Sequence, residues 1–368
     1  MKTVNVGIIG CGNISGIYFK TLPKFDIINV VGCADVDISK AESQADVYNI
    51  AKSCSVDELL SDLEVDIILN LTPPQIHTEI SLKALNAGKH VYTEKPLATT
   101  IADGETIVKK AEEKGLLVGN APDTFLGGGI QTCRKLIDDG WIGRPVAATA
   151  FMMNRGPEGW HPNPEFFYQA GAGPMFDMGP YYLTALINLI GPVRRVTGST
   201  QISFPERTIT SQEKYGSKIK VNTPTHVAGL LDFQNGAVGT IITSFDVMAT
   251  QTPKIEVHGT EGSLIVPDPN TFGGPVYLRN GQSNHEWREI PLTHSYSENS
   301  RGLGVADMAY ALASGRKHRA NGAQALHVLE IMHGFHEAST QDQHYFVQNI
   351  CDRPIPLPLG LRQGTLDD

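Results

Sequence analysis

Val4-Asn5-Val6-Gly7-Ile8-Ile9 runs directly into Gly10-Cys11-Gly12-Asn13-Ile14-Ser15-Gly16, and a helical pattern follows at once. A buried strand, a glycine-rich turn and a helix start, in that order, form the phosphate-binding end of a dinucleotide fold. Gly10 permits the tight turn and Gly12 lets the backbone approach a pyrophosphate. Asn13 and Ile14 open the helix, whose free N–H groups face the phosphates. The third position of the fingerprint is Ser15, small enough for helix and strand to pack closely. A second buried-strand pattern, Ile27 to Ala34, ends at Asp35, near the distance at which an acid meets the adenosine ribose. With Asp37 close behind, a 2′-phosphate would face negative charge, so the pattern favours NAD over NADP.

Outward from this loop, strands and helices alternate: helices near 39–48 and 56–62, a strand over 65–71, a helix over 75–87, a strand over 90–94, a helix over 100–114 and a strand over 116–120. Such alternation predicts a doubly wound parallel sheet of the α/β class, which binds ligands beyond the carboxyl ends of its strands. Three loops fall there: Asn70-Leu71-Thr72-Pro73-Pro74, Glu94-Lys95-Pro96 and Asn120-Ala121-Pro122-Asp123. The second of these places a lysine on the cofactor edge. After Asn120 the texture changes to long strand runs (146–153, 193–202, 226–233, 237–247, 254–258 and 263–266), with a polar loop or irregular hairpin over 207–223 and two late helices over 302–313 and 323–339. The expected division is a Rossmann domain over 1–122 and an α+β domain with a mostly antiparallel sheet over 123–368.

A chain of 368 residues with 41% hydrophobic content has material for two cores. No apolar stretch approaches the ~20 residues of a spanning helix, and Met1-Lys2-Thr3 leads straight into the first strand, so neither a membrane role nor a signal peptide is expected. The formal charge of −9 argues against a nucleic-acid partner and leaves a small molecule as the expected ligand. Five scattered cysteines without CxxC spacing fit reduced thiols in the cytoplasm. His327, His333 and His336 with Glu330 and Glu337 suggest a metal site, but one amphipathic helix without a metal motif reads better as a partly exposed helix face. No metal is expected.

A second cluster, Gly171-Ala172-Gly173-Pro174-Met175-Phe176-Asp177-Met178-Gly179-Pro180-Tyr181-Tyr182, leads into an apolar helix. If that helix begins near Phe176, Pro180 falls in its first turn, where no intrahelical bond is lost, and Asp177 and Tyr181 share one face four residues apart. An acid and a phenol aimed at one spot can hold and deprotonate a sugar hydroxyl. On spacing alone, a helix-dipole acid and a core aromatic read equally well. In the Pro- and Gly-rich loop 155–164, Arg155, Trp160 and His161 are candidate substrate residues, Trp160 for stacking on a sugar face and His161 for hydrogen bonding or acid–base work. A Trp that plugs the domain interface beside a structural His is the alternative.

Gly10-Cys11-Gly12-Asn13-Ile14-Ser15, Thr72-Pro73-Pro74-Gln75-Ile76-His77, Glu94-Lys95-Pro96 and Gly171-Ala172-Gly173 with Asp177 and Tyr181 together resemble the Gfo/Idh/MocA family of oxidoreductases. The resemblance implies a C-terminal domain built on an open antiparallel sheet, a nicotinamide cofactor between the domains, and homodimers or homotetramers that associate through that sheet. It adds Asn70, Leu71, Thr72, Pro73, His77, Glu94, Lys95 and Asn120 to the cofactor side. It makes Lys95 the residue that contacts the reacting hydroxyl or carbonyl, with Glu94 organising it. The bond before Pro96 is often cis in the family, which would aim the ammonium into the cleft. Many members carry a histidine where this chain has Tyr181. The tyrosine resembles the branch with glucose-fructose oxidoreductase, xylose dehydrogenases and dihydrodiol dehydrogenase. The implied mechanism is removal of a hydroxyl proton by Tyr181 as hydride passes to nicotinamide, with Lys95 lowering the phenol pKa and Asp177 fixing a neighbouring hydroxyl of a carbohydrate-like substrate. An NAD-dependent glycosidase with transient internal redox and a non-catalytic regulator share the fold. The presence of Lys95, Glu94 and Asp177 favours a dehydrogenase.

Overall fold

The computed structural model describes residues 3–284 and 286–367; the expectation for Met1 and Lys2 lies outside the described residues. Strands β1 (Val4–Ile9), β2 (Ile28–Ala34), β3 (Ser53–Cys54), β4 (Ile67–Asn70), β5 (His90–Thr93) and β6 (Val118–Asn120) form a six-stranded parallel sheet in the order β3-β2-β1-β4-β5-β6. Helices α1 (Ser15–Thr21), α2 (Ile38–Tyr48), α3 (Val56–Ser61), α4 (His77–Asn86) and α5 (Ile101–Lys114) connect them. The order reverses at β1, between β2 and β4, so the glycine-rich turn sits at the switch point where such sheets open a crevice. Local chemistry fixes the helix ends. Asp37 caps α2, Ser55 and Glu58 close a capping box on α3, and Thr100 caps α5, which stops at left-handed Gly115.

After α6 (Gly128–Asp138) come β7 (Pro145–Met153), α7 (Pro174–Leu189), β8 (Val193–Gln201), the short pair β9 (Glu206–Thr208) and β10 (Lys218–Lys220), then β11 (His226–Phe233), β12 (Val238–Ser244), β13 (Ile255–Gly259), β14 (Gly262–Val266), β15 (Val276–Asn280) and β16 (Arg288–Ile290). Helices α8 (Leu303–Ser314) and α9 (Gly322–Gln341) and the two-residue β17 (Tyr345–Phe346) complete the chain. The second sheet has nine strands in the order β16-β15-β14-β13-β7-β12-β11-β8-β17. It is antiparallel except where β7 and β12 run parallel. The polar segment after β8 is the irregular hairpin β9–β10.

One face of this sheet is covered by helices. On β11, a Cβ at Gly229 would lie 2.4 Å from the Phe335 ring of α9, a separation that only glycine allows. The opposite face carries Thr149 and Phe151 of β7, Thr240 and Ile242 of β12 and Leu230 of β11 in register, and Leu230 is 47% exposed. Helix α9 also packs on α5 and β6 of the first sheet, so it belongs to both lobes.

One sequence expectation is corrected here. Helix α7 starts at Pro174, earlier than Phe176, because positive-φ Gly173 ends the preceding turn and proline suits the first helical position. Pro180 therefore lies inside the helix, where it cannot donate to the Phe176 carbonyl. The His and Glu residues of α9 range from buried to exposed, a partly exposed face as the sequence suggests. His327 is fully buried, accepting from the Val193 N–H (3.0 Å) and donating to the Asn349 carbonyl (2.6 Å). Buried Glu330 accepts from the Tyr345 hydroxyl and from the N–H groups of Gln348 and Asn349. His333 and His336 are half-buried against the Phe176 ring, and only Glu337 is exposed. Among the described residues, no cluster of His, Cys, Asp and Glu could hold a metal ion, and no helix is long and apolar enough to cross a membrane.

Candidate active site

A groove of about 820 Å³ runs along the carboxyl ends of β1, β2 and β4. Gly10, Gly12, Asn13, Ile14, Asp35, Leu71, Thr72 and Pro73 all line it. Gly10 has φ of 101°, and a Cβ there would meet the Leu71 carbonyl group at 2.7 Å; at Gly12 a Cβ would meet nothing within 4 Å, which leaves the backbone open to a ligand. Asp35 holds the loop from below, one carboxylate oxygen accepting from the Cys11 N–H (2.8 Å) and the other from the Asp37 N–H (2.9 Å). Groove size, exposed loop backbone and the acid at the end of β2 fit a dinucleotide. Gly10→Ala combines a strained backbone with a collision, a cost of about 1–3 kcal/mol. It is expected to weaken NAD binding about tenfold or more, as read by titration of protein fluorescence.

Three residues expected on the cofactor side turn inward instead. Asn70 is fully buried, accepting from the Thr72 N–H and hydroxyl and donating to the His77 carbonyl and the Ser81 hydroxyl. His77, 1% exposed, faces the Pro96 carbonyl with Nδ1 (2.7 Å) and the Thr72 carbonyl with Nε2 (2.8 Å). Burial lowers its pKa while the two carbonyls oppose that shift. It is a strut between the loop after β4 and the loop after β5. The Asn120 amide donates to the carbonyls of Thr93 (2.8 Å) and Glu94 (3.1 Å), tying β6 to the end of β5. Hydrogen-bonding capacity that reads as ligand contact in sequence is used here to shape the loops.

At the end of β5, the Lys95–Pro96 bond is cis. Glu94 accepts from the Tyr18 hydroxyl of α1 with one oxygen and from the Lys95 N–H with the other, both at 2.8 Å. The Lys95 ammonium donates to the Asp177 carboxylate (2.9 Å) and to the Asp177 carbonyl (2.6 Å), and lies 5.5 Å from the centre of the Tyr181 ring. Burial works against its charge, but Asp177, Tyr181 and Glu94 together hold its pKa above the usual lysine range. Burial holds the Tyr181 phenol above its usual range; Lys95 and Arg301 pull it down, while Glu94 adds to the upward shift. Lys95, Asp177 and Tyr181 share a cavity of about 350 Å³ with Trp160, Lys254, Asp268, Asn270 and Arg301.

The loop after β7 is divided. Trp160 lines the cavity although 69% exposed. Arg155 is exposed and outside the lining, and His161 is also outside it, edge-on to Phe166 and Phe167 with Nδ1 accepting from the Asn163 N–H. The structure brings Trp160 to this cavity and leaves the other two outside its lining. Gly156, at φ of 89°, turns the chain between Arg155 and Trp160. Sequence reading missed Lys254, Asp268, Asn270 and Arg301, some 70 to 120 residues beyond Tyr181, where no spacing rule connects them. The one available signal was Arg301 beside Gly302 at a helix start.

Asp123 sits under this corner, accepting from the N–H groups of Gly302 (2.8 Å) and Gly304 (2.9 Å) at the start of α8. Burial pushes its carboxyl from 3.8 up to about 6, although those N–H groups and Arg301 pull the other way. The folded state thus binds the proton more tightly than the unfolded chain, a stabilisation present below pH 4 and lost as pH rises to 6. Relative to Asp123→Asn, which cannot ionise, the parent protein is expected to lose roughly 2–3 kcal/mol between those pH values in urea denaturation.

Comparison with known proteins agrees with this geometry. Residues 4–121 match the family model described as oxidoreductase family, NAD-binding Rossmann fold, and residues 130–265 match the GFO/IDH/MocA C-terminal domain. The chain is similar to the 1,5-anhydro-D-fructose reductase of Ensifer adhaerens, 30% identical over 293 residues that cover 78% of this chain and 82% of that protein. It is also similar to the D-xylose dehydrogenase of Paenarthrobacter nicotinovorans, 23% identical over 76% of this chain and 77% of that one. In fold it matches levoglucosan dehydrogenase in complex with NADH and levoglucosan, with a TM-score of 0.81 at 21% identity over 95% of this chain and 100% of that one. With both lobes matched in order along one chain, the protein belongs to the Gfo/Idh/MocA family of oxidoreductases.

Proposed function

We propose that this protein is a dehydrogenase or reductase acting on a CH–OH group of a sugar or sugar derivative, with NAD as its cofactor. The observation that carries the reading is the convergence of Lys95, Asp177 and Tyr181 in one cavity, with the loop after β4 contributing to the nucleotide groove beside it. Gly10, Gly12, Asn13, Ile14, Leu71, Thr72 and Pro73 would hold the dinucleotide, and Asp35 with Asp37 favours the 2′-hydroxyl of NAD over a 2′-phosphate. Bound NAD supplies a hydride acceptor. The Tyr181 oxygen takes the substrate hydroxyl proton, the Lys95 ammonium stabilises the oxygen from which it leaves, and Asp177 aims that ammonium. Trp160 offers a flat apolar surface to a sugar ring. Sugar and anhydrosugar names among the relatives support the substrate class; the glycosidase and regulator readings gain no support of their own.

The partly open face of the nine-stranded sheet, on which Leu230 is exposed, supports pairing with a second copy of the chain. The five buried, unpaired thiols support a reducing, cytoplasmic setting. The reading is tested by absorbance of NADH on mixing the protein with NAD or NADP and a panel of aldoses, anhydrosugars, glycosides, polyols and a dihydrodiol. NADH formation with one class identifies the substrate. Tight NAD binding with no NADH from any of them counts against the proposal.

A further inference from the structure

Trp160 lines the cavity with most of its surface exposed, and its ring meets those of His161 and Phe167 edge-on, at 5.3 and 6.3 Å between centres. Such sparse packing does not fix an indole, so its placement falls to the backbone beneath it. That backbone is a turn on Pro157, whose carbonyl accepts from the N–H groups of Trp160 (3.2 Å) and His161 (2.9 Å). Glu158, inside the turn, is gripped twice by the hairpin β9–β10. Its carbonyl accepts from the N–H groups of Thr210 (3.0 Å) and Ser211 (2.9 Å), and its buried carboxylate pairs with the Arg207 guanidinium (3.1 Å). Further along the loop, Lys214 pairs with Glu165 (2.6 Å), and the Asn222 N–H donates to the Tyr168 carbonyl (2.8 Å). Arg207 also reaches the main sheet. Its other terminal nitrogen donates to the Phe245 carbonyl (2.9 Å) and pairs with Asp246, which accepts from the Thr225 hydroxyl (2.7 Å). Phe245 follows the last residue of β12 and lines the cavity together with Trp160 and Phe167.

One guanidinium thus joins the mobile side of the cavity wall to its rigid side, and its planar fork allows it to hold two carboxylates and a carbonyl at once. We infer that Arg207 is a positioning residue acting through Trp160: by tying Glu158 to the end of β12 it fixes the turn that presents the indole, and so sets affinity for the substrate ring. Arg207 itself lies outside the cavity lining, so it acts on recognition and leaves the chemistry at Lys95 and Tyr181 alone. The inference rests on the reading of this cavity as a sugar site, but one arm of its test needs no substrate.

Trp160 is made the sole indole by Trp141→Phe and Trp287→Phe, and its time-resolved fluorescence anisotropy is recorded. Arg207→Ala is expected to about double the amplitude of the nanosecond depolarisation that reports local motion of the ring. On the substrate found by NADH formation, Arg207→Ala is expected to raise KM about tenfold with kcat within about twofold of the parent. In a Trp160→Ala background the same substitution should change KM by less than about twofold, because the residue through which it acts is gone. A merely structural role would give effects that multiply in the double variant, and that result overturns the inference, as does unchanged anisotropy in folded Arg207→Ala. If Arg207→Ala does not fold, Glu158→Ala, which leaves Arg207 paired with Asp246, takes its place, and unchanged anisotropy there overturns the inference equally. Absent NADH formation in the parent protein would count against the dehydrogenase reading, and the anisotropy would still decide whether Arg207 fixes Trp160.

Discussion

Lys95→Ala lowers kcat by about three orders of magnitude and leaves the affinity for NAD within about twofold of the parent; this is the expected result. Lys95 is not among the residues lining the nucleotide groove, so its loss removes no dinucleotide contact seen there. In the proposed mechanism, what goes is the donor to the reacting oxygen. The substitution also strips Asp177 of its partner, leaving a carboxylate free beside Tyr181 where a neutral pair had been. Both changes oppose build-up of negative charge in the transition state, so the two losses compound. Adding Asp177→Asn to Lys95→Ala should recover about tenfold by removing the stranded charge. Steady-state kinetics on the substrate found in the panel, with NAD titrations alongside, checks this. Unchanged turnover in Lys95→Ala would remove Lys95 from the mechanism altogether.

Asp307→Ala is the substitution expected to damage stability most. Asp307 lies fully buried on α8, accepting from Arg316 (2.8 Å) and from both the backbone N–H and the guanidinium of Arg319. Arg316 is shared with Asp367 and so keeps a partner, whereas Arg319, 3% exposed, is left with backbone carbonyls only. Removing one member of a buried charge cluster costs about 3–5 kcal/mol because the remaining charge stays desolvated. In a chain of this size that corresponds to roughly 4–7 °C in Tm, measurable by scanning calorimetry without cofactor. A loss below about 1 kcal/mol would mean that water reaches Arg319 once the carboxylate is gone. The effect on NAD binding should be small, since none of these residues lines the groove.

Legibility in the sequence followed the range of the forces involved. Strands β1, β4 and β5 were readable because each is a short apolar run buried on a sheet, and the glycine-rich turn was readable because only glycine meets the backbone demand at residue 10. The start of α7 was misplaced by two residues, since Pro174 and Pro180 both fit a first turn until the conformation of Gly173 is known. Strand-end position placed Asn70 and Asn120, and the family resemblance His77, on the cofactor edge, but neither could say that their side chains bend back into the loops. Arg155 and His161 shared a loop with Trp160, yet only a three-dimensional turn decides which of the three faces the cavity. Arg301 was invisible because its relation to Tyr181 is made by tertiary packing across 120 residues of chain.

The placement of α9 against both sheets bears on how the chain is made. Strand β6 is the outer strand of the first sheet, and its edge is met by residues far downstream, with Gly119 bridged to Asn321 and the Asn120 N–H bonded to the Ala320 carbonyl. On a ribosome the parallel sheet emerges about 200 residues before that cover does. During this interval a strand edge and the apolar side of α5 stand open to other nascent chains, the kind of surface that chaperones shield. Helix α9 and the turn before it, made long after β6, therefore close the first lobe to fold, and a chain terminated before residue 322 would leave that lobe with the exposed edge of an aggregation-prone intermediate.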